Sequence, residues 1–164
     1  MTTDYSALID EQTWAFIERT NSFYPPDSTD HSVARQREVY NTMCRAFFSQ
    51  YPGSVSSTNK FVHTAEQRIP IRVYEKSDSD PEAVCLYFHG GGFVVGGLES
   101  HDDVCAELCD ATGFRIVSVD YRLAPEHLHP AAFLDCLAAF EHVASTCELP
   151  IILCGDSAGG NLAA

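Results

Sequence analysis

Three short runs of consecutive apolar residues constrain the fold of this chain most strongly. They are residues 83–88, 116–119 and 151–154. A strand that is apolar on both faces is typical of a parallel sheet with helices covering each side. Segments with helical periodicity separate the three runs, and a strand–helix–strand order requires right-handed crossovers. The pattern therefore predicts an α/β protein with a mostly parallel sheet and flanking helices.

The segments between these runs are predicted to be helices from their end signals and their apolar spacing. Ser100 and Asp103 match a capping box, which starts a helix that ends near Gly113. A second helix is predicted to begin at Pro130, and its apolar residues recur at three- and four-residue steps as far as Val143. Each helix would cross from one buried strand to the next.

The N-terminal third of the chain has a different pattern. Two amphipathic helices are predicted at about residues 5–21 and 29–50, each followed by a proline. Alternating apolar residues at 69–73 then predict a half-buried antiparallel strand, with residues 54–64 as its partner. We therefore divide the chain into a helical segment at 1–52 and part of a sheet domain at 53–164.

Composition and charge argue against several classes of function. The chain has 10 basic and 23 acidic residues, and a formal charge of −13 disfavours binding to nucleic acid or to an anionic membrane. Residues 1–4 do not begin a signal peptide, and no apolar run reaches the roughly 20 residues that span a bilayer. Cys105 and Cys109 are four apart, but no further ligand pair completes a tetrahedral metal site. These features predict a reduced, cytoplasmic protein without a metal.

The strongest chemical signal follows the last apolar run, where residues 155–159 match the G-x-S-x-G pattern. A sharp turn from a strand into a helix exposes the serine hydroxyl at the helix N-terminus, where the dipole favours a developing negative charge. The flanking glycines avoid clashes that larger residues would cause in such a turn. Ser157 is therefore predicted to be the catalytic nucleophile.

A glycine triplet follows the first apolar run, at His89 to Gly92. Glycines let a backbone turn direct its N–H groups into a cleft. We predict that Gly90 and Gly91, together with Ala158, bind the oxyanion of an acyl-transfer intermediate. For an isolated triplet a flexible turn is the better interpretation, but here both motifs follow buried strands in the order expected of an acyl-transfer enzyme.

Four motifs together resemble the hormone-sensitive-lipase-like esterases, α/β-hydrolases whose bacterial members include acetyl esterases. In chain order they are residues 89–92, 120–126, 130–132 and 155–160. The resemblance implies an α/β-hydrolase fold, with the helices of residues 1–52 as a cap over the acyl pocket. It also implies that His89 and Gly92 support the oxyanion loop and that no cofactor is needed. His129 departs from the family pattern, in which an apolar or aromatic residue is usual.

The resemblance further implies a serine carboxylesterase that hydrolyses short-chain acyl esters of small molecules through an acyl-enzyme. In this fold the acid and base follow the nucleophile along the chain, and the seven residues after Ser157 include neither. The C-terminal half of the hydrolase domain, from the same or another chain, is expected to supply them. A homodimer is left open. The alternative is a non-catalytic ligand-binding protein of the same fold, like the plant gibberellin receptors.

Other polar residues near these motifs are predicted to be structural. His89 lies beside the glycines and is not favoured as the general base. Asp156 is predicted to point away from Ser157. A charged network near the edge of the sheet is predicted for three residues: Asp120, Arg122 and Glu126.

Overall fold

The computed structural model describes Tyr5 and residues 8–164. A five-stranded sheet of order β1–β2–β4–β3–β5 forms its centre. The strands are β1 Val55–His63, β2 Arg68–Lys76, β3 Val84–Phe88, β4 Arg115–Val119 and β5 Ile151–Gly155. β3 pairs in parallel with β4 and β5, whereas β2 is antiparallel to both β1 and β4. The predicted strands and their parallel core are confirmed, with an antiparallel hairpin at one edge.

In the described residues, five α-helices accompany the sheet. They are α1 Glu11–Asn21, α2 Val33–Phe47, α3 Asp102–Thr112, α4 Ala131–Thr146 and α5 Ala158–Ala163. Asp10 caps α1 by accepting a hydrogen bond from the N–H of Thr13. Gly113 caps the C-terminus of α3 with a φ of 69°, a left-handed conformation that glycine adopts without steric cost. No helix in the described part of the chain is both long and apolar enough to cross a membrane.

Two hydrophobic cores lie on opposite faces of the sheet, because successive side chains of a strand point in opposite directions. On one face Leu86 and Phe88 pack with Ala139 of α4. On the other face Cys85 and Tyr87 pack with α3, including Cys105 and Cys109. This double burial accounts for the continuous apolar run at β3. It also confirms that these cysteines serve in packing, and all seven cysteines are unbridged.

The predicted start of α3 is wrong by one residue. Ser100 ends a short 3₁₀ turn, Leu98–Ser100, and the helix begins at Asp102 with no side-chain cap. The Ser100 hydroxyl accepts from the N–H of Gly97 and donates to its carbonyl, at 3.0 and 2.9 Å. It also lies 2.8 Å from Nδ1 of His101, so no capping bond to Asp103 forms.

The strand at 69–73 was predicted to be half-buried, but β2 is buried on both faces. Arg72 and Tyr74 point to the side away from Ile71 and are 8% and 0% exposed. Both donate to Oδ1 of Asp102 in α3 at 2.6 Å. A buried charge is tolerated when it is paired and hydrogen-bonded, so polar residues of β2 occupy an interior that alternation alone assigns to solvent.

The last apolar run predicts a strand that belongs in the middle of a larger sheet and leaves an unpaired apolar edge in the residues given, and β5 does lie at an edge of the sheet. Its only hydrogen-bonded neighbour among the described strands is β3. Ile152 and Leu153 are each 40% exposed, and Leu134 and Leu137 on α4 are also partly exposed. An unpaired apolar edge normally needs a neighbour or a cover.

In the described residues of the helical segment 1–52, named here the cap segment, α1 and α2 make aromatic contacts with each other, and residues 37–51 also contact the sheet domain. The rings of Phe16 and Phe47 lie 5.1 Å apart, and the guanidinium of Arg19 lies over Phe47 at 4.6 Å. Within α1 and α2 only Val39 is buried. The cap segment therefore has little core of its own and depends on a small number of contacts with the sheet domain.

Candidate active site

Ser157 lies at the turn that joins β5 to α5. Its backbone has φ 51° and ψ −116°, a conformation that side-chain-bearing residues rarely adopt, and its side chain is exposed. A Cβ atom on Gly159 would collide with the carbonyl oxygen of Phe88, and one on Gly155 would meet both segments. The glycines therefore allow α5 to approach β3 closely, and this approach sets the position of Ser157.

The glycine turn, defined here as residues 89–95, follows β3 and lies beside the turn that carries Ser157. The N–H of Gly90 donates to Oδ1 of Asp156 at 2.8 Å. The same carboxylate accepts from the hydroxyl of Tyr87 at 2.8 Å and lies 3.3 Å from Nε2 of His101. Asp156 thus ties the glycine turn to the residue beside Ser157. Its contacts give Asp156 a structural role, as predicted.

One predicted oxyanion donor must be corrected. The N–H of Gly90 already has a partner in Asp156, so it is not free for an oxyanion. A Cβ on Gly90 would also collide with the Asp156 carboxylate. Gly90 is required by this close contact, and the donors of the turn must be sought further along it.

The peptide groups Gly90–Gly91 and Gly91–Gly92 are oriented by the hydrogen bonds that their carbonyl oxygens accept. Nδ1 of His89 donates to the Gly90 carbonyl at 2.7 Å, and the N–H groups of Val94 and Val95 donate to the Gly91 carbonyl at 3.0 Å. Both peptide bonds are trans. The N–H of Gly91 therefore points opposite to the carbonyl of Gly90, and the N–H of Gly92 points opposite to the carbonyl of Gly91. Within the described residues, the N–H groups of Gly91 and Gly92 have no acceptor, and neither does that of Ala158.

His89 is a buried support of this turn. Its side chain is 0% exposed and stacks on Tyr121, with 4.2 Å between the ring centroids. The Tyr121 hydroxyl donates to the His89 carbonyl. Burial lowers the pKa of His89 to about 4, and this histidine is therefore neutral near pH 7. Its imidazole is committed to Gly90, which argues against a role as general base, as predicted.

The burial of His89 predicts a pH dependence of stability. The unfolded chain has a histidine pKa near 6.5, so between pH 6.5 and 4 the unfolded state binds more protons than the folded state. Stability from this group is present above pH 6.5 and is lost as the pH falls toward 4, by up to about 3 kcal/mol. Urea unfolding of the full-length protein at several pH values measures it.

The control for this measurement is the exposed histidine His63 on β1. His89→Gln should remove the part of the loss of unfolding free energy between pH 6.5 and 4 that His89 contributes, up to about 3 kcal/mol, and His63→Gln should leave it in place. Equal pH profiles for wild type and His89→Gln would contradict the assignment.

The three charged residues predicted to form one network have separate partners. Arg122 forms a bidentate pair with buried Asp135 of α4. Glu126 pairs with Arg37 of α2, and burial raises the pKa of Asp120, which shares no ion pair with Arg122 or Glu126 among the described residues. Their roles are structural, but the single network was a wrong prediction.

Two cavities adjoin the glycine turn. One, of about 460 Å³, lies between the turn and α5, and Gly92, Phe93, Arg122, His129, Phe133 and Leu162 line part of it. His129 thus lies in the wall of this cavity. The other, of about 320 Å³, lies between the cap segment and Val95. The turn therefore has an open cavity on the side of α5 and another on the side of the cap segment.

Sequence reasoning missed several residues of the site. Tyr87, His101 and Tyr121 hold the turn from below, yet only Tyr121 belongs to a motif that was singled out. Arg37 contacts the turn from the cap segment, 57 positions away from its acceptor. No local pattern marks such a residue, because its partners come together only when the chain folds.

The chain is similar to known proteins along its length. A family model described as alpha/beta hydrolase fold matches residues 85–164. The carboxylic ester hydrolase LipN of Mycobacterium tuberculosis (strain H37Rv) is 35% identical over 84% of this chain and 38% of its own length. A hyperthermophilic esterase of the archaeon Pyrobaculum calidifontis is 37% identical, with a TM-score of 0.76 over 82% of this chain and 46% of that one. An esterase of the bacterial hormone-sensitive lipase family is 26% identical, with a TM-score of 0.81 over 94% of this chain and 50% of that one.

The sheet order, the turn at Ser157 and the glycine turn define an α/β hydrolase. The chain spans 38% of LipN and about half of the two solved esterases. Within the α/β hydrolases, it belongs to the hormone-sensitive-lipase-like family, which confirms the resemblance of its four motifs.

Proposed function

We propose that this chain carries the nucleophile and oxyanion hole of a serine carboxylesterase, with Ser157 as the attacking residue. The observation that carries the proposal is the junction of two turns. Ser157 is exposed on a strained backbone, and the Asp156 beside it holds the glycine turn that offers the free N–H groups of Gly91 and Gly92. Strain and unpaired backbone donors at one place are typical of a site prepared for a ligand.

In the proposed mechanism the Ser157 hydroxyl attacks the carbonyl carbon of an ester as a general base takes its proton. The carbonyl oxygen gains a negative charge, which the N–H groups of Gly91, Gly92 and Ala158 stabilise. Collapse of the intermediate expels the alcohol, protonated by the same base acting as an acid. Water then attacks the acyl-enzyme by the reverse sequence and frees Ser157.

The base and its acid partner are proposed to come from the remaining part of the hydrolase domain, since chain order in this fold places both after the nucleophile. The exposed edge of β5 and the partly exposed Leu134 and Leu137 offer it an apolar surface. In this proposal residues 53–164 are the first part of the catalytic domain, and the cap segment 1–52 covers the substrate.

We propose short-chain acyl esters of small molecules as the substrates. The cavity beside Gly92 holds about 460 Å³, which suits a short acyl chain and a compact alcohol. Its wall combines the apolar side chains of Phe93, Phe133 and Leu162, which suit an acyl chain, with the polar side chains of Arg122, His127, His129 and Asn161. The proposed chemistry uses no cofactor or metal.

The alternative of a non-catalytic binding protein gains no specific support. The relatives compared above are named as esterases or as a carboxylic ester hydrolase. A protein that only binds its ligand also has no need of the strained backbone at Ser157, which costs of order 1–3 kcal/mol.

A fluorophosphonate probe tests the proposal, because it reacts covalently with activated serines. The full-length protein should hydrolyse p-nitrophenyl acetate, lose this activity on labelling, and carry the adduct on the peptide that contains Ser157. Heat-unfolded protein is the control and should remain unlabelled. A folded protein without turnover or adduct would favour the binding protein, and an adduct on another serine would remove Ser157 as the nucleophile.

A further inference from the structure

One side chain of the cap segment reaches the glycine turn. Nε of Arg37 in α2 donates to the carbonyl of Val94 at 2.7 Å, and one terminal nitrogen donates to the carbonyl of Ala124 at 2.9 Å. The remaining contacts are a bidentate pair with Glu126, at 2.9 and 2.7 Å. A single guanidinium therefore joins three parts of the chain: α2, the end of the glycine turn and the loop before α4.

The Val94 contact is continuous with the proposed oxyanion hole. The N–H of Val94 donates to the Gly91 carbonyl, and that bond fixes the direction of the next N–H, which belongs to Gly92. Arg37 holds the carbonyl of the same Val94 from outside the turn. The carbonyl of Val94 is therefore held by Arg37, and its N–H is held by the carbonyl of Gly91. The backbone at Val94 cannot rotate unless one of these hydrogen bonds breaks.

Ala124 closes a second link to the turn. Its N–H donates to the carbonyl of Phe93 at 2.8 Å, and its own carbonyl accepts from Arg37. Phe93 has a φ of 63°, which is uncommon for an aromatic residue and persists only where neighbours enforce it. Arg37 and Ala124 are the neighbours that hold the two consecutive carbonyls of Phe93 and Val94.

The geometry suits arginine and no other cation. The guanidinium presents its donors in a rigid fork, and Glu126 fixes the plane of that fork. Arg37 in turn lowers the pKa of Glu126 through these hydrogen bonds, so the carboxylate stays charged at neutral pH. A lysine at this position has one nitrogen and cannot reach Val94, Ala124 and Glu126 together.

We propose that Arg37 is a positioning residue for ester hydrolysis, which holds the glycine turn against the cap helix α2 so that the N–H of Gly92 stays directed at the oxyanion. The inference rests on the proposed function and adds to it a link between cap and oxyanion hole. Arg37 touches no reacting atom in this scheme. Its contribution is to the transition state, because the donor it orients meets a full negative charge only there.

The test compares Arg37→Met, Arg37→Lys and the matched control Arg35→Met in the full-length protein. Arg35 lies on the same helix but is exposed, and within the described residues its side chain pairs only with Glu38. We expect Arg37→Met to lower kcat for p-nitrophenyl acetate by about 10- to 100-fold, the range for a misplacement of about 1 Å, with KM changed less than about threefold. Arg37→Lys should lose most of the same activity, and Arg35→Met should match wild type.

Hydrogen exchange gives a readout that does not depend on turnover. The N–H groups of Val94, Val95 and Ala124 should exchange faster in Arg37→Met and in Arg37→Lys, whereas those of α3 should keep wild-type rates. Unchanged exchange in the turn, or a raised KM with wild-type kcat, would overturn the proposal. If Arg37→Met does not fold, Arg37→Lys decides by the same two criteria. Failure of the proposed function itself would look different, since wild-type protein would then show no turnover that depends on Ser157.

Discussion

Ser157→Ala is expected to lower kcat for p-nitrophenyl esters by about 10⁴- to 10⁶-fold in the full-length protein. Without the hydroxyl no acyl-enzyme forms, and only binding and the oxyanion donors remain to assist water. Alanine has the same backbone limits as serine, so the strained turn at φ 51° should persist. Initial rates with p-nitrophenyl acetate and butyrate measure the effect, and urea unfolding shows whether the fold is kept.

The matched control is Ser145→Ala. Ser145 is exposed on α4, and its hydroxyl only donates to the carbonyl of His142. This variant should keep wild-type kcat. If Ser157→Ala kept most of the activity with an unchanged unfolding curve, Ser157 would not be the nucleophile, and another exposed hydroxyl or thiol would have to be sought.

Gly91→Val is expected to reduce kcat by about 100- to 1000-fold, equivalent to about 3 to 4 kcal/mol of transition-state stabilisation. The backbone of Gly91 has φ 121°, which a β-branched residue does not adopt, and a Cβ there would collide with the carbonyl of Val95. The turn must therefore open, and the N–H groups of Gly91 and Gly92 lose their direction. Neither hydrophobic core includes Gly91, so we expect the protein to remain folded.

Gly53→Val provides the comparison at a site where an added Cβ meets nothing within 4 Å. It lies in the turn before β1 and should leave kcat unchanged. Thermal unfolding of both variants separates a local change from loss of the fold. Wild-type turnover in Gly91→Val would show that this part of the turn does not bind the oxyanion.

Much of the fold could be predicted because its signals are local. The parallel strands are recognisable as apolar runs because both of their faces are covered. Leu86 and Tyr87, which are neighbours in β3, lie in opposite cores. Ser157 was predictable for a similar reason. A turn this sharp demands small residues at fixed offsets, and Gly155 and Gly159 are the two positions where a Cβ would strike a neighbouring backbone.

Patterns were less reliable wherever a charge is buried or a neighbour is absent. Alternation assigned Arg72 to solvent, but Asp102 provides a buried partner for it. The apolar run of β5 is typical of a strand covered on both faces, and two of its five residues, Ile152 and Leu153, are exposed at the edge of the sheet that the described strands leave unpaired. In both cases the strand itself was predicted correctly. The partner that covers it, or its absence, depends on parts of the chain far away in sequence.

The amino-acid sequence by itself determined the parallel strands, the exposed serine and the presence of a glycine turn, because each depends on residues within one short segment. Only the tertiary structure decided which glycine N–H groups are free. Gly90 gives its N–H to Asp156, 66 positions away, and the direction of the Gly92 N–H depends on Val94, which Arg37 holds from the cap segment. The orientation of a peptide plane is set by whichever partners meet it in space, and those partners come from distant parts of the chain.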